Sequence, residues 1–188
     1  MNKKHIFLIP LAALVITLAC TIFVGGPDYP QPPVPVSTEA VTALQDQVQA
    51  AMTAGAASGE VTLQISETQL TSYLTFKNQN DPNPMFTDPQ VILRNEQMRI
   101  YGKVQRGNLT ANIGIVLAVS MDETTGQPKL QIVSADFGPF PLPEGLNSAI
   151  TAVIEEAYTG ALGPVATGFR IKSITIADGM MTVIGNIR

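Results

Sequence analysis

Histidine, cysteine and tryptophan are almost missing from this 188-residue chain: one His, one Cys and no Trp. The one histidine, His5, and the one cysteine, Cys20, both lie in the first 20 residues. Beyond them no Ser-His-Asp or Cys-His pair can be assembled, nor a histidine- or thiolate-ligated metal site. No intramolecular disulfide can form either, so the rest of the chain must be held by its apolar core. Charge is scarce as well, at 14% of residues where about a quarter is ordinary for a soluble domain. Without Lys3 and Lys4, nine basic side chains face 15 acidic ones, a formal charge of −6. That balance argues against nucleic-acid binding and against electrostatic adsorption to anionic lipid.

What is abundant is apolar: 45% of the chain. Lys3 and Lys4 precede an uncharged run over residues 6–19, then Cys20. A basic start, an apolar run and small residues before a cleavage point mark an export signal. Thr17-Leu18-Ala19-Cys20 resembles a bacterial lipobox, in which the cysteine would be lipidated and become the N-terminus. Thr17 stands where leucine is usual, and the uncharged run continues to Val24. Residues 6–24 approach the roughly 20 needed to span a bilayer, so an uncleaved membrane helix is a second reading and plain secretion a third. In the first two, residues 1–24 anchor the chain to a membrane with the lysines on the cytoplasmic side.

Residues 25–36 carry five prolines and read as a linker. An extended spacer of this length would stand the domain off its anchor by about 37 Å. Residues 37–188 form one domain, large enough for a substantial core.

Within it, Val41, Leu44, Val48 and Ala51 recur at helical spacing, predicting a helix over residues 39–53 that breaks at 55–59. Residues 61–65 alternate as a strand. Ser66-Glu67-Thr68-Gln69 has the form of a capping box, opening a short helix with Leu70, Tyr73 and Leu74 on one face. Residues 78–89 read as loop. Strands follow at 90–94, 97–106, 109–121 and 129–137, with turns at Asn95-Glu96 and Gly107-Asn108. Over 109–121, Ile113, Ile115 and Leu117 share one side. Residues 144–162 predict a second long helix with Leu146, Ile150, Ile154 and Ala157 on its apolar stripe. Asp178-Gly179 predicts a hairpin between 169–177 and 180–187, setting Ile176 opposite Met181 and Ile174 opposite Val183.

Short turns between neighbouring strands imply an antiparallel sheet. The expected class is therefore α+β: a long curved antiparallel sheet over a long amphipathic helix, preceded by an N-terminal helix.

Ile65 to Leu70, Met98 to Val104, Phe137 to Pro143 and Ile174 to Gly185, in this order and spacing, resemble small bacterial lipid-binding proteins of the TULIP-like type. The YpmS-like and LmeA-like extracytoplasmic families are the nearest in kind. The resemblance spans residues 61–188. It implies a half-tube whose sheet and long helix enclose an apolar groove for acyl chains, and no catalytic residues. The groove candidates are Leu70, Leu74, Ile113, Ile115, Leu117, Leu146, Ile150, Ile154 and Ala157, with Cys20 as the lipid anchor.

The function expected is thus a membrane-tethered, extracytoplasmic, non-catalytic domain that binds phospholipid or another acyl-chain ligand, without cofactor, metal or nucleic acid. A closed-core protein-interaction module of the cell envelope is the alternative. A carboxylate hydrolase is a weaker third. Glu155 and Glu156 diverge on a helix by about 100°. Asp122 and Glu123 sit in a turn, and Asp81, Asp88, Asn80 and Asn83 in a loop. Asp136 stands in a mostly apolar strand, facing solvent or a headgroup. Arg94, Arg99, Lys103, Arg106, Arg170 and Lys172 are either scattered on the outer sheet face or gathered for a lipid phosphate.

Overall fold

The structure is a computed structural model that describes residues 21–124, 126, 128–146, 148 and 170–186. Its elements are β1 (Ile22–Phe23), α1 (Thr38–Ser58), β2 (Glu60–Ser66), α2 (Glu67–Asn80), β3 (Thr87–Arg94), β4 (Gln97–Arg106), β5 (Leu109–Met121), β6 (Pro128–Asp136), β7 (Arg170–Ala177) and β8 (Met180–Asn186). The class is α+β, with two helices among the described residues and a strongly curled mixed sheet that forms a half-barrel.

Helix α1 begins where Ser37 Oγ accepts from the Ala40 amide at 3.1 Å. It buries Leu44, Val48, Met52 and Gly55. The helix runs past its expected end at residue 53 and stops at the far end of the expected break, at Gly59. Gly55 faces inward within a run of alanines, whose helix propensity outweighs one glycine, and Gly59 at φ 78° ends the helix. The capping box forms: Gln69 N donates to Ser66 Oγ at 3.2 Å, and Ser66 N to Gln69 Oε1 at 2.9 Å.

Strand β5 is the spine. Strand β4 lies along one side of it and β3 beyond β4, both antiparallel. The other side of β5 is shared. Strand β6 pairs antiparallel from Gly114 to Met121, while β1 pairs parallel at Leu109 and Thr110. The sheet is therefore mixed, against the all-antiparallel expectation. Strands β2, β8 and β7 form a second, antiparallel set in that order. Its hairpin has the expected register, Ile176 with Met181 and Ile174 with Val183. Asp178 and Gly179 both take positive φ, as a type I′ turn requires.

The two sets meet at β3. Gly179 N donates to the Leu93 carbonyl at 2.9 Å. Helix α2 closes the same edge with side chains: Thr71 Oγ1 accepts from Val91 N at 2.9 Å, and Glu67 Oε1 from Leu93 N at 2.7 Å. An edge strand that would otherwise offer free amides to another chain is thus occupied.

Residues 25–36 do not stand off as a spacer. Ile22 N donates to Asn108 O at 2.6 Å, Val24 N to Thr110 O at 2.8 Å, and Asn112 N to Gly25 O at 2.9 Å. The chain then crosses the outer face of the sheet. Pro27 O accepts from Asn112 Nδ2 at 3.0 Å, the Tyr29 hydroxyl donates to Asp88 O, and Val34 N donates to Gln90 Oε1. The ring of Tyr29 meets Tyr101 edge-on and carries Lys103 over its face. Ser37 N reaches Ser72 Oγ at 3.1 Å, delivering the strap to α1. Glycines allow this close crossing. A Cβ at Gly26 would collide with the Asn112 carbonyl, and one at Gly114 would sit 3.1 Å from Pro27. Burial, and then the nearby Asp88, push the Tyr29 phenol up to about 12.

Candidate concave apolar surface

Alternation along the strands sets one row of side chains on the concave face. Ile115 lies opposite Ile100, which lies opposite Val91; Leu117 lies opposite Met98, which lies opposite Leu93. These side chains are almost wholly buried. Leu44 and Val48 of α1, Leu70 and Leu74 of α2, Leu63 and Ile65 of β2, and Ile176 and Val183 of the hairpin complete one apolar cluster. Six groove candidates from the sequence, Leu70, Leu74, Ile113, Ile115, Leu117 and Leu146, belong to this cluster. Ile150, Ile154, Ala157 and Cys20 lie outside the described residues, as does most of the helix expected over 144–162.

Coverage thins toward β6. Leu130 pairs with Val119, Ile132 with Leu117, and Ala135 with Ile115, so all lie on the concave side. Yet Val119, Leu130, Ile132 and Ala135 are only half-buried and flank the cluster. Between Val116 and Leu117 the register skips Val133, which is exposed. One extra residue on β6 is a bulge, and a bulge bends and twists its strand. Beside this region a depression of about 360 Å³ opens between the β3–β4 turn (Asn95, Glu96), the end of β5 (Ala118, Val119) and β7 (Ile174, Ile176). Its lining mixes the polar Asn95, Glu96, Gln97 and Thr175 with the apolar Ala118, Val119, Ile174 and Ile176. Sequence reasoning passed over this half-covered row. Its signal was a change of parity, Leu130 and Ile132 at even positions but Ala135 and Phe137 at odd ones.

The polar candidates have local partners. Arg94 pairs with Glu67 at 3.5 Å, Lys103 with Asp88 at 2.8 Å, Lys129 with Asp122 at 2.9 Å and Lys172 with Glu60 at 3.0 Å. Arg106 lies over the ring of Phe140. These basic residues lie on β3, β4, β6 and β7, and four of them have an acidic partner within 3.5 Å. Asp136 accepts from Gly138 N at 2.8 Å and shapes the turn after β6. Asp81 Oδ1 accepts from Asn83 N, and Asp122 Oδ1 from Thr124 N, as acidic residues in turns commonly do. Among the described residues no group of three or more His, Cys, Asp or Glu is placed to hold a metal, and no helix is long and apolar enough to cross a membrane.

No family model, curated protein or solved structure matches the chain.

Proposed function

We propose that this domain binds an acyl chain or similar apolar ligand along the concave face of its half-barrel, while tethered to a membrane through its first 20 residues. The observation that carries the reading is the graded cover of that face: sealed over β3, β4 and β5, half-open at Val119, Leu130, Ile132 and Ala135. Apolar area left partly accessible in a concave surface is the raw material of a lipid site. The curled half-barrel agrees with the half-tube implied by the TULIP-like resemblance. The helix expected over residues 144–162 would supply the second wall. Affinity would come from buried apolar area at about 25 cal/mol per Å², less the cost of ordering the ligand.

The strap supports a lipid anchor over a membrane helix. Residues 22–25 belong to the β ladder, which leaves residues 6–21 as the uncharged run. As a helix at about 1.5 Å per residue these 16 residues would reach about 24 Å, short of the roughly 30 Å hydrocarbon core. A lipidated Cys20, two positions before β1, needs no such length.

Native mass spectrometry after incubation with mixed liposomes tests the reading, on a chain that begins at residue 21 so that β1 and the strap are kept. An added mass released by solvent extraction as phospholipid or fatty acid is expected. A ligand-free mass under these conditions would count against lipid binding.

A second reading has its own support. Ile113, Ile115 and Leu117 are sealed, as in a closed-core interaction module. Under that reading Ile113→Phe costs about 1–3 kcal/mol by overpacking and leaves no ligand loading to change.

A further inference from the structure

We infer that the end of the sheet where β1 joins β5 is a membrane-docking rim, and that the strap fixes the domain in one orientation on the bilayer. The inference rests on the tether reading above and adds to it which part of the domain touches lipid. Large apolar side chains stand exposed at this end: Ile22 at 59%, Phe23 at 61% and Leu109 at 40%. Ile22 is the Cα partner of Leu109 and Phe23 that of Thr110. Successive residues of a strand point to opposite sides, so apolar groups project from both faces of the sheet at its tip. Arg106, the cross-strand partner of Leu109, adds its guanidinium 5.6 Å from the ring of Phe140. A rim with apolar groups on both sides and one arginine suits end-on insertion into a lipid interface. A flat protein partner would cover one face and leave the other wet.

The occupant follows from where the chain comes from. An uncharged run from residue 6 leads directly into β1. Cys20 is two positions before Ile22, about 7 Å of chain at full extension. Adding one interstrand spacing of about 4.8 Å puts the backbone of Leu109 within about 12 Å of that of Cys20. A freely extended linker would permit any orientation. Here the linker lies along the sheet and meets its outer face at Asn112, Asp88 and Gln90, so an anchor at residue 20 holds this rim at the lipid surface. The other end of β5, at Met121, is about 40 Å away at 3.4 Å per residue. Met121 is 61% exposed, so the two ends differ in distance from the anchor and not in accessibility.

The absence of tryptophan makes the test direct. Full-length chain carrying Leu109→Trp is reconstituted with phosphatidylcholine vesicles, with and without brominated acyl chains. Met121→Trp is the distal control. Asn108→Trp, in the exposed β4–β5 turn, is a second rim probe should Leu109→Trp fold poorly. The expected result is that brominated lipid removes more than half the emission at the rim and leaves that of Met121→Trp unchanged. If the chain floats with the vesicles yet the rim probe is as unquenched as the distal one, the docking rim is overturned and the tether survives. If the chain fails to float, the tether reading falls and the rim with it.

Discussion

The concave face of the half-barrel has two halves built from the same kind of residue with different fates. On β3, β4 and β5 the alternating Val, Leu and Ile side chains are sealed beneath α1, α2 and β2. On β6, Leu130, Ile132 and Ala135 continue the face and remain half-exposed. Alternation decides which side of a strand is apolar. Only the neighbouring layers decide whether that side is a core or a surface, and the bulge at Val133 bends β6 where the cover thins.

The most forceful way to break the comparison is to truncate one side chain in each half. Ile115→Ala removes packing from the sealed cluster and should cost about 2–5 kcal/mol. Ile132→Ala, on the half-covered row, should cost well under that, within about 1.5 kcal/mol. Urea unfolding of the two variants measures the difference, and equal losses would mean that both halves are core. Next is the seal itself. Thr71→Val keeps the shape but leaves the buried Val91 N–H without its acceptor, which should cost about 1–3 kcal/mol in the same assay.

Gly26→Ala acts on the convex face. Its Cβ would meet the Asn112 carbonyl, so the strap must lift. Limited proteolysis should then cut within residues 25–36 at a rate several-fold above that of the parent, while both concave halves keep their stability. The smallest effect is a pH dependence. The folded pKa of Tyr29 is raised to about 12 from 10, so its contribution is intact below pH 10 and is lost as pH rises through 12. Alkaline protection against proteolysis should fall in that window, and Tyr29→Phe should remove the dependence.

Much of the fold could be read from local pattern. The thirteen alternating residues of β5, the capping box at Ser66 and Gln69, and the Asp178-Gly179 turn each carry their own cause within a few residues. The strap could not. Five prolines say that residues 25–36 are extended, but docking depends on Gly26 lying against the Asn112 carbonyl and Gly114 lying under Pro27, close approaches between residues 86 and 87 positions apart. Gly55 misled for a related reason: in sequence it is a helix breaker, in space a buried contact. The candidate site was half legible. The apolar rows of β5 and α2 were visible, but what covers each row is tertiary. The least covered row, on β6, was hidden by the parity change at its bulge.

The central claim is that the half-covered row holds an acyl chain, and photocrosslinking tests it most directly. A fatty acid with a diazirine near its methyl end is bound, irradiated and mapped by peptide mass spectrometry. The account predicts adducts on the β6 peptide holding Leu130, Ile132 and Ala135 and on the end of β5 at Val119, displaced by excess unlabelled fatty acid. Adducts confined to the exposed rim or scattered over the outer surface, and undiminished by competitor, would contradict it.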